Sequence, residues 1–559
     1  MWPRGQATTP VHGTDADPPC TYDAGMESLR ARLLGPAPPR WGVQDRLAWA
    51  GILLVTVVGG VLRFVRLDQP GRLVFDETYY VKQAWSLLRY GHEREIKEGL
   101  EEPDVRWNAG DPDVFGTLPD LVVHPPVGKW MIALGQLLLG PEDPTGWRLA
   151  SAVVGTLSIL VLGRVAWHLW HNVLLSVAAA ALLAVDGHHF VQSRIGLLDV
   201  FVMWWVLLAF LLLLLDREQA RSRLARRWPD WAERTRAEPV PRSPWRRWAR
   251  WWGPSLGVRW WRIAAGVSLG LAVGTKWSGL FFLAVFGLMT VWWDLGARRA
   301  AGAPGWFTGT VVRDGIPAFL SMVPVALVTY VATWAGWFAT EGGWKRQWAA
   351  QNPVADGSPG ALVPDALRSL WAYHAEMMTF HVGLQNEHKW SSNPWGWTVQ
   401  WRPTLFYAEW PSRGEMGCEA AECVSYVASL GNVLLWWGAT AGMLVVAFLW
   451  LLGRDWRAGA ALSGIVAGWL PWFLYQTRTI YSFYAVAFVP WLVLVVVACL
   501  ALVLGAADAP ARRRRWGAAV VVGYVVLAAA WFAWYYPVHA AVVLPREQWG
   551  WRMFFDFWN

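Results

Sequence analysis

Cysteine is scarce in this sequence, with only four residues among 559. Cys418 and Cys423 lie close together in a polar loop, whereas Cys20 falls in the N-terminal segment and Cys499 within an apolar run. No further Cys or His stands at ligand spacing beside the close pair, which makes a metal site there the weaker interpretation. If the loop faces an oxidising compartment, the pair predicts a Cys418–Cys423 disulfide.

An internal sequence repeat is also missing, and so is an apolar stretch at the N-terminus. Transporters built from inverted halves carry such repeats, so their absence disfavours that class. Residues 1–46 are rich in Pro, Gly, Thr and charge and lack the apolar core of a signal peptide. We therefore expect residues 1–46 to form a disordered cytoplasmic tail.

Apolar residues dominate the rest of the chain. The sequence is 55% hydrophobic and contains 46 Trp, and many apolar runs reach the roughly 20 residues that cross a bilayer. These runs predict an all-α polytopic membrane protein with about eleven transmembrane helices. The expected spans are 47–65, 147–167, 172–187, 197–215, 261–275, 277–295, 315–338, 430–452, 459–475, 481–504 and 516–537.

The net charge of +8 is carried mostly by Arg in short clusters between these runs. This distribution is a topology signal and not the basic surface of a nucleic-acid-binding protein. The apolar part after Pro126 has only about 14 residues and contains Lys129, as in a re-entrant or interfacial helix. If it does not cross, every basic cluster, including the Arg217–Arg259 loop, becomes cytoplasmic. The N-terminus is then cytoplasmic and the C-terminus extracellular.

This topology divides the chain into a tail, 1–46, and two membrane modules, 47–300 and 301–559. The first module contains an outer loop, 67–146, and the second contains an outer loop, 339–429, followed by the four last spans. Ionisable groups near a membrane boundary are costly and indicate function. The cations that this arrangement brings to the outer face are His124, Lys129, Arg148, Lys276 and Arg478.

Asp76 and Glu77 lie side by side at the start of the first outer loop. Apolar residues recur after them at helical spacing, which predicts an amphipathic helix in the membrane interface. One interpretation is that the two carboxylates act on a lipid-linked substrate. The other is that they cap this helix, because Asp and Glu are favoured in a first turn.

Seven short motifs in one order resemble the protein O-mannosyltransferases, notably their actinobacterial-type members. They extend from about Ala48 to the C-terminus. A departure is that no segment is long enough for the β-trefoil insert of eukaryotic members. The motifs are Phe75–Tyr80, His124–Lys129, Trp147–Gly155, Leu197–Asp199, Gly274–Gly279, Ser391–Trp395 and Arg478–Tyr481.

The resemblance implies a C-type glycosyltransferase fold in the cell membrane, with the active site on the extracellular face. It implies transfer of mannose from polyprenyl phosphate mannose to Ser or Thr of exported proteins, with inversion at the anomeric carbon. In the family the Asp-Glu motif is the catalytic centre, which corresponds to Asp76 and Glu77, and the equivalent of Arg148 is functionally important. The resemblance implies no required cofactor, although binding of a divalent metal by the two adjacent carboxylates remains an alternative.

From these observations we assign a role to each candidate residue. Asp76 would be the general base, and Glu77 would orient the acceptor or support Asp76. Contacts to the donor phosphate or sugar are assigned to Arg148, Lys129, His124, Arg478, Tyr481, Lys276 and Asp199. For the cations among these, anchoring at the membrane interface remains an alternative.

The expected partners are the lipid donor, membrane lipids and Ser/Thr-rich exported proteins, which could be met alongside the secretion translocon. No nucleic acid is expected. One alternative keeps the chemistry but uses a lipid or cell-wall glycan as acceptor. The other alternative is a transporter.

Overall fold

The computed structural model describes residues 29–35 and 41–558. It is a mostly helical multi-span membrane protein, and eight of its helices are long and apolar enough to cross a bilayer. Each coincides with one of the spans expected from hydropathy. They are Val43–Phe64, Pro144–Trp170, Asp199–Ala237, Gly279–Ala301, Trp306–Ala332, Val433–Leu451, Ser482–Leu504 and Ala511–His539.

Three other expected spans coincide with shorter helices, Val173–Ala184, Trp260–Val273 and Trp456–Gly468. Helices of 12 to 14 residues rise only about 18–21 Å, less than the roughly 30 Å of a hydrocarbon core. The segment after Pro126 also forms a short helix, Val127–Leu139. Hydropathy therefore located all these helices but overestimated the length of several.

The helix that follows Asp76 runs from Glu77 to Tyr90. Its apolar face is not placed as the sequence suggested, because Val81 and Ala84 are completely buried inside the protein. The amide of Gln136 on the helix Val127–Leu139 donates to the carbonyl of Val81 at 3.0 Å. The expectation that this face lies in the membrane interface is therefore wrong, since a second helix covers it.

Two small antiparallel sheets correct the all-α prediction. Strand Arg94–Ile96 pairs with Phe115–Pro119, and Cys423–Ala428 pairs with both Leu405–Glu409 and Leu544–Pro545. Cys418 and Cys423 form a disulfide at the edge of the second sheet. The other helices are Pro103–Asn108, Gly187–Gln192, Pro244–Ala249, Ala335–Ala339, Trp348–Gln351, Asp365–Gly383 and Arg546–Gly550, with short 3-10 turns at Pro359–Leu362, Pro394–Gly396, Leu470–Leu474 and Asp556–Trp558.

Part of the expected disordered tail is folded. Residues 29–34 are helical, and Leu29 and Leu33 are buried with Leu224 and Leu256 in a small apolar cluster. The prediction of disorder is therefore wrong for 29–34, because this helix has apolar side chains that pack against a partner surface. It is also wrong for 43–46, which begin the helix Val43–Phe64. Residues 1–28 and 36–40 of the expected tail lie outside the described residues. The module bounds 47–300 and 301–559 stay a prediction.

Two buried polar clusters fix the positions of the helices. On the helix Asp199–Ala237, Asp216 lies about 26 Å from Asp199 along the axis. There Arg259 donates to Asp216 at 2.9 Å and to Asp294 at 2.6 Å, and Arg262 donates to Asp294 at 2.6 Å. Buried charges are tolerated only when they are paired and hydrogen-bonded in this way.

The second cluster joins the two halves of the chain at Asp186. Its carboxylate accepts from the backbone N–H of His189 at 2.9 Å and of Asn432 at 2.9 Å, and from the indole of Trp436 at 2.8 Å. Residues from both halves are thereby held to one buried carboxylate. This contact sets the C-terminal half against the end of the N-terminal half that carries Asp76.

Candidate active site

Asp76 occupies the first position before the helix Glu77–Tyr90, but its side chain forms no cap hydrogen bond. Its carboxylate has no hydrogen-bond or salt-bridge partner among the residues that the structure describes. Glu77 accepts from the N–H of Val74 at 3.0 Å instead. The helix-cap interpretation is therefore wrong for Asp76, which is left available to a substrate.

The backbone before Asp76 is held in an uncommon conformation. Phe75 has φ +47°, in the left-handed region that costs an L-residue about 1–2 kcal/mol. Its ring lies edge-on to four aromatic rings, those of His388, Phe406, Tyr481 and Phe483, at 5.2–5.8 Å between centroids. These contacts hold the turn that aims Asp76.

Burial raises the pKa of Asp76 to about 6, with a further rise from the Asp199 carboxylate and an opposing effect of Lys276. The carboxylate of Asp199 accepts from Lys276 at 2.7 Å, so this cation is largely neutralised. Proton transfer is most efficient when the pKa of the base lies near the working pH. Asp76 therefore has the environment of a general base.

Glu77 and Arg148 form a completely buried pair. The guanidinium Nε and Nη2 of Arg148 donate to the two carboxylate oxygens of Glu77 at 2.9 Å each. Arg148 also donates to three carbonyls, those of Leu67, Pro70 and Arg72. A guanidinium has five N–H donors, and all five are now used.

The predicted phosphate contact of Arg148 is consequently wrong, because no donor remains for it. Glu77 also accepts from the N–H of Gly196 at 2.7 Å, so it is not free to orient an acceptor hydroxyl. Its role as a support for Asp76 is retained. The Glu77–Arg148 pair fixes the start of the helix from which Asp76 projects.

Lys129 is also occupied by the protein. Its ammonium pairs with Glu93 and donates to the carbonyl of His124 at 2.9 Å, and its side chain is 1% exposed. A direct phosphate contact by Lys129 is wrong for this arrangement, since the charge is already neutralised by Glu93. Lys129 holds the His-Pro-Pro turn in place.

His124 lies between the rings of Tyr80 at 6.0 Å and His381 at 5.2 Å. Burial lowers its pKa well below the usual value, and Lys276 and His381 add to this. His124 is therefore a neutral ring at the edge of the site and not a cation.

Among the five candidate cations of the site, Arg478 has the most unused donors. Its Nη2 contacts Nδ1 of His381 at 3.1 Å, while Nε2 of His381 contacts the carbonyl of Val123 at 2.7 Å. Since a carbonyl only accepts, Nε2 carries the proton and Nδ1 accepts from Arg478. Burial and Arg478 lower the pKa of His381 to about 4, which keeps the ring neutral. The buried Nε of Arg478 has no partner among the described residues.

Tyr481 and Lys276 complete the group. The Tyr481 ring packs on Phe75 at 5.7 Å, and burial raises its pKa to about 12, so the hydroxyl stays protonated. Lys276 lies 5.0 Å above the ring of Tyr484. Three of the predicted site residues are occupied by contacts within the protein: Glu77, Arg148 and Lys129. The others are brought together at one site: Asp76, Asp199, Lys276, Arg478, Tyr481 and His124.

Two residues in contact with this group, His381 and Tyr484, were missed from the sequence. His374 and His381 are spaced by seven residues, two helical turns, and their rings lie 5.7 and 5.8 Å from that of Trp277. That spacing was the available signal. No group of three or more His, Cys, Asp or Glu is placed to hold a metal within 29–35 and 41–558, and the expectation of a metal-independent reaction stays a prediction.

Two family patterns match most of the chain. The pattern for dolichyl-phosphate-mannose-protein mannosyltransferase covers residues 53–232 and 245–301. The pattern for the C-terminal four-span region of protein O-mannosyltransferase covers residues 366–558. The chain belongs to the protein O-mannosyltransferase family. The family resemblance of the sequence motifs is thereby confirmed.

Similar proteins within this family match over nearly the full length. The chain is 36% identical to the polyprenol-phosphate-mannose–protein mannosyltransferase of Mycolicibacterium smegmatis (strain MKD8), over 96% of this chain and 99% of that protein. It is 36% identical to the protein of the same name from Mycobacterium tuberculosis (strain CDC 1551 / Oshkosh), over 94% and 95%. Both comparisons span the loops 67–146 and 339–429.

The fold of this protein O-mannosyltransferase resembles that of a solved relative. The structure of the S. cerevisiae protein O-mannosyltransferase Pmt1-Pmt2 complex, bound to the sugar donor, matches with a TM-score of 0.67 at 14% identity, over 96% of this chain and 94% of that chain. The fold is thus C-type glycosyltransferase-like, as the resemblance implied.

Proposed function

We propose that this chain transfers mannose from polyprenyl phosphate mannose to Ser or Thr hydroxyls of exported proteins. The observation that carries the proposal is that an unpartnered, half-buried carboxylate, Asp76, and a cation with unused donors, Arg478, both lie close enough to Tyr481 and Tyr484 to shift the pKa of each hydroxyl. The names of the curated relatives, which specify a polyprenol phosphate mannose donor and a protein acceptor, support the same activity.

In the proposed reaction, the acceptor oxygen attacks the anomeric carbon of mannose in one in-line displacement. The new bond joins that oxygen to the anomeric carbon, and the bond between the anomeric carbon and the phosphate oxygen breaks. Asp76 takes the hydroxyl proton, and polyprenyl phosphate leaves with the bonding electron pair. A single displacement inverts the anomeric carbon.

The leaving phosphate needs a positive partner, because negative charge develops on it as the bond breaks. Arg478 offers Nε and one terminal nitrogen in a fork suited to two phosphate oxygens. Lys276 is neutralised by Asp199 and acts at longer range, by limiting the pKa of Asp76. Tyr481 packs on Phe75, next to Asp76, and His124 packs on His381, the partner of Arg478.

The proposed orientation places this site on the extracellular side, with eleven spans and a cytoplasmic N-terminus. Asp199 of the site and Asp216 lie about 26 Å apart along one helix. The Asp216 cluster lies beside the basic loop, which the positive-inside rule assigns to the cytoplasm. The site therefore belongs at the opposite, extracellular end. An extracellular site would meet exported proteins as they emerge, alongside the secretion translocon. The reaction as proposed requires no metal.

A reconstituted assay tests the activity. Full-length protein in lipid vesicles would be given polyprenyl phosphate mannose and a Thr-containing peptide, and mannosyl-peptide would be measured by mass spectrometry. We expect transfer to the peptide hydroxyl, and transfer only to lipid or glycan acceptors would overturn the proposal. Omitting divalent metal with a chelator present should leave the rate unchanged.

A further inference from the structure

A cavity of about 480 Å³ is lined by residues of the helix Glu77–Tyr90, beginning with Thr78, two positions after Asp76. One side is formed by Thr78, Tyr79 and Lys82, and the facing side by the sheet residues Ile96 and Phe115 and by the start of the helix Pro103–Asn108. Its volume is within the range of about 300–1,000 Å³ that is typical of binding pockets. Nothing in the proposed reaction uses it.

Apolar side chains and carboxylates both line this cavity. Tyr79 and Val105 are 59% and 58% exposed, which is more than a closed core would leave. Of the lining carboxylates, Asp104 accepts from Lys82 at 2.6 Å. Asp120 reaches only the amide of Gln83, at 3.4 Å.

Glu102, at the exposed rim, has no salt-bridge partner in the described part of the chain. Of the two lining cations, Lys82 pairs with Asp104 within the cavity, and Arg94 lies over the Tyr90 ring at 3.7 Å and forms no salt bridge among the described residues. Two carboxylates, Asp120 and Glu102, therefore remain without a cation. A cavity lined by both apolar side chains and unpaired carboxylates suits a Lys or Arg side chain, whose stem is apolar and whose head is charged.

The cavity lies at a distance from Asp76 that an acceptor peptide would reach. Lys82 is six residues beyond Asp76, or about 9 Å along the helix axis. An extended peptide advances about 3.3–3.6 Å per residue, so this corresponds to two or three residues. The loop around the cavity reinforces the charge, since residues 93–120 contain nine carboxylates and three Lys or Arg in a chain of net charge +8.

We propose that this cavity binds a Lys or Arg side chain of the acceptor, two or three residues from the hydroxyl that receives mannose. The inference rests on the proposed function and makes the first outer loop a determinant of acceptor choice. Acceptors with a basic residue at that spacing are favoured, and acceptors with an acidic residue there are disfavoured.

The first test uses three peptides that differ only in the residues two and three positions from a single Thr, which are Lys, Ala or Glu. With full-length protein and polyprenyl phosphate mannose at low salt, the KM of the Lys peptide should be about threefold below that of the Ala peptide, and that of the Glu peptide about threefold above it, with kcat little changed. At 0.5 M NaCl the differences should shrink, because the screening length falls well below about 10 Å.

Equal KM values for the three peptides at low salt would overturn the inference and leave the proposed function standing. Transfer to none of them would overturn the proposed function itself. The two failures are therefore distinguishable.

The second test locates the effect in the cavity. Asp120→Asn and Glu102→Gln should each bring the ratio of the Ala-peptide KM to the Lys-peptide KM from about three towards one. The controls are Glu98→Gln, in the same loop but not lining the cavity, and Asp356→Asn, an exposed acid of the second outer loop. Both controls should keep the ratio.

An equal effect of Glu98→Gln would mean that the field of the loop, and not the cavity, selects the peptide, which would overturn the assignment. If Asp120→Asn lowers the yield of folded protein, the Glu102→Gln variant at the exposed rim decides the question.

Discussion

Glu77 and Arg148 face each other as a bidentate ion pair, with both N–O distances at 2.9 Å and no exposure of either side chain. The pair has every donor and acceptor occupied, so it contributes to the position of Asp76 and not to substrate contact. Of the two adjacent carboxylates, Glu77 thus has a structural role, and the proposed proton transfer is assigned to Asp76.

Breaking this pair should destabilise the protein. Glu77→Gln removes the negative charge opposite a buried guanidinium, and such a loss costs about 3–5 kcal/mol. Thermal unfolding in detergent, followed by tryptophan fluorescence, should show a clear drop in the midpoint. The matched control is Glu422→Gln, which breaks an exposed pair with Arg546 and should cost less than about 1 kcal/mol. An unfolding midpoint for Glu77→Gln as high as that of the control would contradict the structural role.

Asp76→Asn should abolish transfer while leaving the fold intact. The amide cannot accept the hydroxyl proton, and loss of a general base lowers kcat by about 10²–10⁴-fold. Because the carboxylate has no partner to lose, the unfolding midpoint should stay near that of the parent protein. Binding of the lipid donor, measured by co-purification, is expected to persist. If Asp76→Asn keeps more than a tenth of the parent rate, Asp76 is not the general base.

The rate should also depend on pH through Asp76. Burial raises its pKa from 3.8 to about 6, and only the deprotonated form can accept a proton. The rate therefore rises with pH through about 6, by tenfold per unit below it, and levels off above. Initial rates in vesicles between pH 4.5 and 8, with stability checked at each pH, would measure this. A rate that is flat from pH 5 to 8 would be inconsistent with a base of raised pKa.

Arg478 should govern binding of the donor. Arg478→Lys keeps the charge but loses the fork and the contact with His381, so the KM for polyprenyl phosphate mannose should rise by roughly tenfold, in line with a charge-assisted hydrogen bond of about 1.5–3 kcal/mol. The peptide KM should change little. Arg402→Lys, an exposed guanidinium in the same outer region, is the control and should leave both KM values unaltered. If Arg478→Lys leaves the KM for polyprenyl phosphate mannose unchanged, Arg478 does not bind the phosphate of the donor.

Reporter fusions can test the proposed topology. A fusion near Arg227, in the basic loop, should report a cytoplasmic location, and one near Gly357 should report an extracellular one. The positive-inside rule gives this direction. The opposite pair of results would reverse the scheme and place Asp76 on the cytoplasmic side.

Hydropathy predicted the positions of the long helices because the hydropathy of a segment depends only on residues that are neighbours in the sequence. Side-chain partners were less predictable, since Glu77 and Arg148 are 71 positions apart. Successive residues on a helix point about 100° apart, so one of two adjacent carboxylates can face the interior while the other faces the site. The sequence alone does not say which residue takes which direction, and this is why both were first assigned to catalysis.

The same lack of information about distant contacts explains why Arg148 and Lys129 were assigned to the donor phosphate. Arg148 and Lys129 were grouped with Arg478 because all three stand near the ends of apolar runs. Burial and the unanticipated partner Glu93 remove Lys129 from the group, and five backbone and carboxylate acceptors remove Arg148. Only contacts between distant segments separate a structural cation from one with unused donors.

The contact of Asp186 with Asn432 and Trp436 has a consequence for biosynthesis. The proposed base, Asp76, lies in the first quarter of the chain and Arg478 in the last quarter, so the pair is incomplete until the segment from Asn432 to Arg478 has been synthesised and docked. A nascent chain paused in the translocon would therefore be unable to hydrolyse or consume the lipid donor. Activity would begin only when the helix Val433–Leu451 has docked onto Asp186 and Arg478 has followed it.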